Sequence, residues 1–165
     1  MIKLLEEKYL EDVATAHLLA WQKAYRGILS DSVLNGLDKK EFLSRWEQHI
    51  QNQNRKNYVA LNNSNIAIGF ISFENIKENN ACVEIIGIYV HPEYWEQGHG
   101  TALMKKAISD VRSAEHFFKI ILWTMTENNS ARQFYEKSGF KPDSLIRTSE
   151  RKGEQFQECR YSLEL

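Results

Sequence analysis

Glycine and proline are scarce in this sequence, with 8 Gly and 2 Pro among 165 residues. That is about 6%, where roughly 12% is usual. Turns that need special backbone geometry must draw on these few residues, so their positions guide the reading. Cysteine is sparser still. Cys82 and Cys159 lie far apart in apolar, strand-like runs, which argues against a disulfide scaffold, and no C-x-x-C pair or Cys/His cluster suggests a metal site. Neither sign of charge dominates: 21 Lys+Arg against 22 Asp+Glu leave a net −1. Residues 1–50 hold 7 basic and 8 acidic side chains, and the remainder holds 14 of each. Such balance offers no field for a phosphate backbone, so no nucleic-acid partner is expected. No stretch approaches the roughly 20 apolar residues of a membrane span. MIKLLEEKYLED at the start lacks the apolar core of a signal peptide. A cytoplasmic protein without membrane contact is the expectation.

What is present fills a core. The chain is 42% apolar and 12% aromatic, enough for one domain over residues 1–165. Ala14, Leu18, Trp21 and Tyr25 recur on one helical face that Gly27 ends. A second helix is predicted from Asp38, with Phe42, Trp46 and Ile50 stacked along it. YVAL (58–61) and IAIGFISF (66–73) read as strands joined by Asn62–Asn65, which has hairpin-turn chemistry. CVEIIGIYV (82–90) is a third strand, and strict alternation would place Glu84, Ile86, Ile88 and Val90 on one face. A helix follows Gly98-His99-Gly100 to about Val111, with Leu103, Met104, Ala107, Ile108 and Val111 as its apolar stripe. KIILWTM (119–125) reads as a buried strand. A short helix over 130–138 ends at Gly139, and two strands around 145–148 and 157–163 flank an Arg151–Glu154 turn. The order describes an α+β (mixed α/β) sheet domain.

The segment VHPEYWEQGHGTALMKKAI joins a strand to an amphipathic helix through Gly98-x-Gly100. That geometry aims backbone N–H groups and the positive helix end at an anion, and glycine keeps a Cβ from blocking the amides. Taken alone, a tight strand-to-helix turn accounts for it equally well. Position 103 is Leu, so the dinucleotide fingerprint is incomplete, and no Lys-Ser/Thr pair makes a P-loop. The stretch from Asn128 to Phe140 reads as a capped helix with a glycine stop.

Together, in this order and spacing, the two stretches resemble the GNAT superfamily of N-acetyltransferases, and the likeness covers nearly the whole chain. Val90-x-Pro92-x-Tyr94 followed by Gln97-Gly98-His99-Gly100 resembles that family's acetyl-CoA pyrophosphate loop. Asn128-x-x-Ala131-x-x-Phe134-Tyr135-Glu136-Lys137-x-Gly139-Phe140 is similar to its second signature. Three positions depart from the pattern. Trp95 stands where Arg or Gln is usual, Glu96 where Gly is frequent, and His99 in place of an aliphatic residue. The resemblance implies a mostly antiparallel mixed sheet of about seven strands flanked by about four helices. It implies acetyl-CoA as co-substrate and no metal. Cofactor contacts would then come from Ile88, Tyr89 and Val90 on the strand, from Glu96, Gln97, Gly98, His99, Gly100 and Thr101 in the loop, and from Asn128. Tyr135 would protonate the departing thiolate, chemistry open to a phenol of pKa about 10 facing a thiol near 8.5.

The acceptor must also lose a proton. An alkylammonium of pKa about 10.4 is neutral to only about 1 part in 2,500 at pH 7, a handicap of roughly 4.6 kcal/mol. Glu84, interrupting an apolar strand, is the candidate base, with a rim carboxylate that merely attracts the cation as the equal alternative. The resemblance places the acceptor pocket among the first two helices and the 148–156 turn. Trp21 and Tyr25, in AWQKAYRGIL, are candidate substrate residues there: both lie on an inward face, where plain core packing competes with cation–π contact. Glu158, Arg160 and Tyr161 are expected to serve structure. The reading is thus acetyl transfer to a primary amine of a small molecule or peptide in a ternary complex. The alternative is a catalytically silent acetyl-CoA-binding module. Pairing of two chains into a homodimer through sheet edges is left open.

Overall fold

The computed structural model describes residues 1–76 and 81–165. Its strands are β1 (Ile2–Leu4), β2 (Arg55–Leu61), β3 (Ala67–Asn75), β4 (Cys82–Val90), β5 (Lys119–Met125), β6 (Lys141–Arg151) and β7 (Glu154–Glu164). Its helices are α1 (Leu10–Ala24), α2 (Asp31–Asn35), α3 (Lys39–Ile50), α4 (His99–Arg112) and α5 (Asn129–Lys137). The seven strands form one sheet in the order β1-β2-β3-β4-β5-β7-β6. Among the described residues, only the central β4/β5 pair of neighbouring strands is parallel, and the other neighbours are antiparallel.

Local chemistry sets the ends of these elements. The Asn62 carboxamide oxygen accepts from the N–H groups of Ser64 (2.9 Å) and Ile66 (3.0 Å), closing the β2–β3 turn. Asp38 caps α3 by accepting from Lys40 N, and Ser30 caps α2 by accepting from Val33 N. The five-residue α2 is a helix beyond the four expected; its sequence is too short to show a period. Gly139 adopts φ 93° at the end of α5, the left-handed stop its position predicted.

Two cores lie on opposite faces of the sheet. One packs Leu103, Met104, Ala107 and Val111 of α4 against Ile71, Phe73, Val83, Ile85, Ile120 and Leu122, and it includes Tyr135 of α5. The other packs α1, α2 and α3 against Val59, Phe70 and Met125, with Trp46 and Phe42 almost fully enclosed.

Strict alternation fails in β4. Ser72 pairs with Gly87 but Phe73 pairs with Ile85, so Ile86 is an extra residue, a β-bulge. A Cβ on Gly87 would lie 3.2 Å from the Tyr89 ring, so the bulge favours the residue without one. Below the bulge Glu84 shares a face with Ile121, its register partner. Above it, Ile88 and Val90 face the α4 core while Tyr89 faces the α1 side. Glu84 therefore shares a face with Tyr89, not with Ile88 and Val90 as the unbroken pattern predicted.

His17 of α1 sits inside the second core. Part of the residue reaches the surface, but its ring lies 4.6 Å from Phe42, 4.8 Å from Phe70 and 4.8 Å from Tyr89. Its Nδ1 accepts from the Trp46 indole at 3.3 Å. Burial, reinforced by His49, Arg45 and Arg151, lowers its pKa to about 3. The unfolded chain would protonate this histidine near pH 6.5, so its contribution to stability is complete above that pH. As pH falls toward 3 it is lost, at up to about 1.4 kcal/mol per pH unit. Denaturation midpoints of wild type and His17→Gln, compared between pH 7 and about pH 4.5, should show the shallower decline in the variant. Parallel curves would mean that the imidazole is not held neutral.

Candidate active site

Backbone pairing defines the site. β4 and β5 share register only over Cys82–Ile85 and Lys119–Leu122. Beyond that, β4 stays with β3 as far as Val90 and β5 stays with β7 as far as Met125. The two central strands thus diverge into a cleft, and the facing edges of 86–90 and 123–125 carry backbone groups with no partner strand. Such groups need water or a ligand. Ile88, Tyr89 and Val90 form one wall. The Val90 carbonyl is already engaged, accepting from the Trp95 indole N–H at 2.6 Å. The side chain at the atypical loop position thereby ties the loop to the strand.

At the mouth of the cleft the loop turns through two left-handed residues, Glu96 (φ 62°) and Gly98 (φ 82°). Among the described residues, no acceptor meets the N–H groups of Glu96, Gln97, Gly98, His99, Gly100 or Thr101. Successive free amides at the start of a 14-residue helix make an anion-binding concavity. Nothing lies within 4 Å of a Cβ built on Gly98, so the cradle is open on that side and fits a diphosphate. The side chains nearby serve the loop. Gln97 donates to Glu93 O at 3.0 Å, the Glu96 side chain is exposed, and the His99 ring packs edge-on against Tyr94.

Across the cleft, α5 starts from Asn128, whose side-chain oxygen accepts from Ala131 N at 3.1 Å. This cap leaves its NH2 group without a partner among the described residues. Tyr161 of β7 locks the helix in place, accepting from Arg132 Nε and donating to Glu136 Oε1. Tyr135 is thereby held 8% exposed, with no hydrogen bond from its hydroxyl to the described residues. Burial, reinforced by nearby Tyr89, holds its pKa well above the usual phenol value.

On the other face, Tyr25 and Tyr89 share a hydroxyl–hydroxyl hydrogen bond of 2.8 Å, and burial raises both pKa values. The Trp21 ring packs against Tyr25 at 4.8 Å. Its indole N–H comes close enough to the Tyr89 hydroxyl to bear on its titration but makes no well-formed hydrogen bond. Tyrosines from the two cores therefore meet where β4 and β5 part.

Glu84 sits in the last paired stretch, at the closed end of the cleft. It has no hydrogen bond or ion pair to the described residues, and burial raises its pKa while Arg147 opposes the shift. The carboxylate whose charge bears on Tyr25 and Tyr89 is a different one, Glu158. It accepts from Arg147 Nε at 2.7 Å and Ser149 Oγ at 2.6 Å. A structural role alone was expected of Glu158; the ladder does place it in β7, but facing the tyrosine pair. Only the pairing of Arg147 with Glu158 across β6 and β7 could have signalled this, and that register is invisible in sequence.

The profile of the acetyltransferase (GNAT) family matches residues 10–140. The chain belongs to that family of acetyl-CoA-dependent acyltransferases. Among its relatives is the uncharacterized N-acetyltransferase YuaI of Bacillus subtilis, 28% identical over 134 residues, which are 79% of this chain and 75% of YuaI. The fold is that of the PaiA N-acetyltransferase of Thermoplasma acidophilum, solved in complex with coenzyme A. The TM-score is 0.78 at 21% identity, covering 100% of this chain and 98% of the other. It is also that of a spermidine N-acetyltransferase SpeG chimera from Vibrio cholerae and hSSAT, with a TM-score of 0.74 at 18% identity over 99% and 95% of the two chains.

Replacing Gly98 by Val tests the cradle. A β-branched residue at φ 82° strains the backbone by about 1–2 kcal/mol and sets a side chain before the amides. Acetyl-CoA affinity measured by calorimetry should fall at least about tenfold, with a modest drop in thermal midpoint. Unchanged affinity in the folded variant would disprove the assignment of the loop.

Proposed function

We propose that the protein moves the acetyl group of acetyl-CoA directly to a primary amine of a small molecule or peptide, both bound at once in the β4/β5 cleft. The observation that carries this reading is the opening of the central sheet between a run of unpartnered amides and a buried tyrosine. The amides of Glu96–Thr101 hold the diphosphate. The cleft-facing backbone groups of Ile88 and the Asn128 NH2 hold the arm that leads into the cleft. The amine enters from the α1 side, past Trp21 and Tyr25.

Attack of the amine nitrogen on the thioester carbonyl forms the C–N bond and expels the thiolate as the C–S bond breaks. Tyr135 meets that sulfur. Its raised pKa keeps it a neutral phenol, a good hydrogen-bond donor to a developing thiolate but a reluctant proton donor. Stabilisation of the leaving group by hydrogen bonding is therefore its main role, and the second proton lost from nitrogen as the amide forms ends on the sulfur to give the thiol. On the acceptor side, Glu84 takes the ammonium proton through water. Burial that raises its pKa makes it a stronger base than an exposed carboxylate. Glu158, paired with Arg147 at 2.7 Å, supplies negative charge beside the tyrosine pair.

Two variants test these roles. Tyr135→Phe should lower kcat by about 10- to 100-fold with acetyl-CoA affinity retained. A rate equal to wild type with every acceptor would point to a silent binding module. Glu84→Gln should lose most at neutral pH and recover as the pH approaches the amine pKa, because the acceptor then needs no base. A loss of equal size at all pH values would assign Glu84 to electrostatic attraction instead.

A further inference from the structure

Arg151 closes β6 and pairs with Glu154 across the hairpin turn, yet its side chain leans back over α1 and α3. The guanidinium carbon lies 5.4 Å from the Trp21 ring centre and 5.9 Å from that of Phe42. Stacking on these rings satisfies the flat faces of the guanidinium, but not its in-plane donors. Nε and Nη2 are buried and make no hydrogen bond. The nearby carboxylate is Glu41, whose Oε2 stands 3.6 Å from Nη2 while its Oε1 is bonded to Lys152 at 3.2 Å. Arg45 adds a further positive charge that bears on Arg151. Two cations thus share one carboxylate, with a third positive charge close by.

Leaving a buried charged donor unpaired is among the costliest arrangements a fold can keep. Here three buried donor atoms without a hydrogen bond, Arg151 Nε, Arg151 Nη2 and the neutral Trp21 Nε1, belong to two side chains in contact. All three are donors, and their neighbouring acceptors, the Tyr89 hydroxyl beside the indole and Glu41 Oε2 at 3.6 Å from Nη2, make no well-formed hydrogen bond with them. Nε and one Nη form the edge of a guanidinium that a carboxylate matches with two parallel hydrogen bonds. Trp21 spans from this edge to Tyr25 and Tyr89, so the unmatched donors lie one indole away from the tyrosines of the cleft.

We infer that the acceptor amine carries a carboxylate a few atoms from its nitrogen, and that Arg151 is the residue that binds it. The inference rests on the amine-acetylating reading given above. It names amino acids and their like as the substrate class, and it disfavours polyamines, whose second ammonium would face Arg151, Lys152 and Arg45.

The test compares free amino acids with their carboxamides, and both with spermidine. Acetyl-CoA-dependent thiol release is followed alongside acceptor binding by calorimetry with CoA present. In wild type the free acids should exceed their amides by about 10- to 100-fold in kcat/KM and in affinity, as expected for a charge-assisted bidentate contact. Arg151→Gln should erase that ratio while leaving acetyl-CoA affinity unchanged. Arg151→Lys, which keeps the charge but not the fork, should retain only part of it. Equal acid and amide values in wild type, or a preference for spermidine, would overturn the inference while leaving acetyl transfer intact. Free acids that bind better than amides without any thiol release would uphold it, and would remove the catalytic reading instead.

Discussion

Past Ile85 and Leu122 the two central strands stop sharing hydrogen bonds, and each must find another use for the backbone groups on that edge. The rest of the site depends on this parting. It gives Ile88 free main-chain groups at mid-sheet, where a continuous ladder would have consumed them. It also lets side chains from opposite faces approach one another, so that Tyr135 from the α4 side comes near Tyr89 from the α1 side. A closed sheet would hold those two cores apart. The bulge at Ile86 accompanies the parting and sets which β4 side chains face which core.

On either side of this gap the site is held by unlike means. The anion end is backbone: two left-handed residues, a helix start and six unpartnered amides, with side chains such as Trp95 and Gln97 bracing the loop. The end proposed for the acceptor is side chain: a dense cluster of rings built around Trp21, Tyr25 and Tyr89, edged by Glu158 on one flank and Arg151 on the other. Backbone recognition tolerates sequence change, so under the proposed reading Trp95 and Glu96 can depart from the family pattern while the amides of the loop stay available. A side-chain wall does not have that tolerance, and its composition decides what enters.

Much of the fold was legible because its signals are local. The Asn62–Asn65 turn, the Asp38 cap, the Gly139 stop and the apolar stripe of α4 are each written within a few residues, and each is where the pattern put it. The loop from Glu96 to Thr101 and the Asn128 cap are likewise written within a few residues each. What escaped was set by register. A single inserted residue at Ile86 turned Glu84 to the face opposite the one alternation assigned. Arg147, Ser149 and Glu158 converge only because β6 pairs with β7 in one particular register, and Arg151 reaches Trp21 across more than a hundred residues of chain. No window of sequence holds those facts. The short α2 escaped for a different reason: five residues are too few to show a period.

The position of β7 has a consequence for how the chain matures. β5, with the sequence KIILWTM, is a central strand whose outer edge is covered by β7, although β7 is made well after it, following α5 and β6. During synthesis that apolar strand therefore waits with one edge bare, the condition in which a strand recruits the wrong partner. Its cleft-facing end is left unpaired by β4 as well, so the opening that makes a site in the finished protein lengthens the exposed edge in the unfinished one. β7 also carries Glu154, which grips the Ser30 amide and hydroxyl between α1 and α2. The strand that covers the bare edge is thus the one that fastens the α1–α2 connection, so a single late docking step closes the sheet and fixes the helical layer beside the cleft.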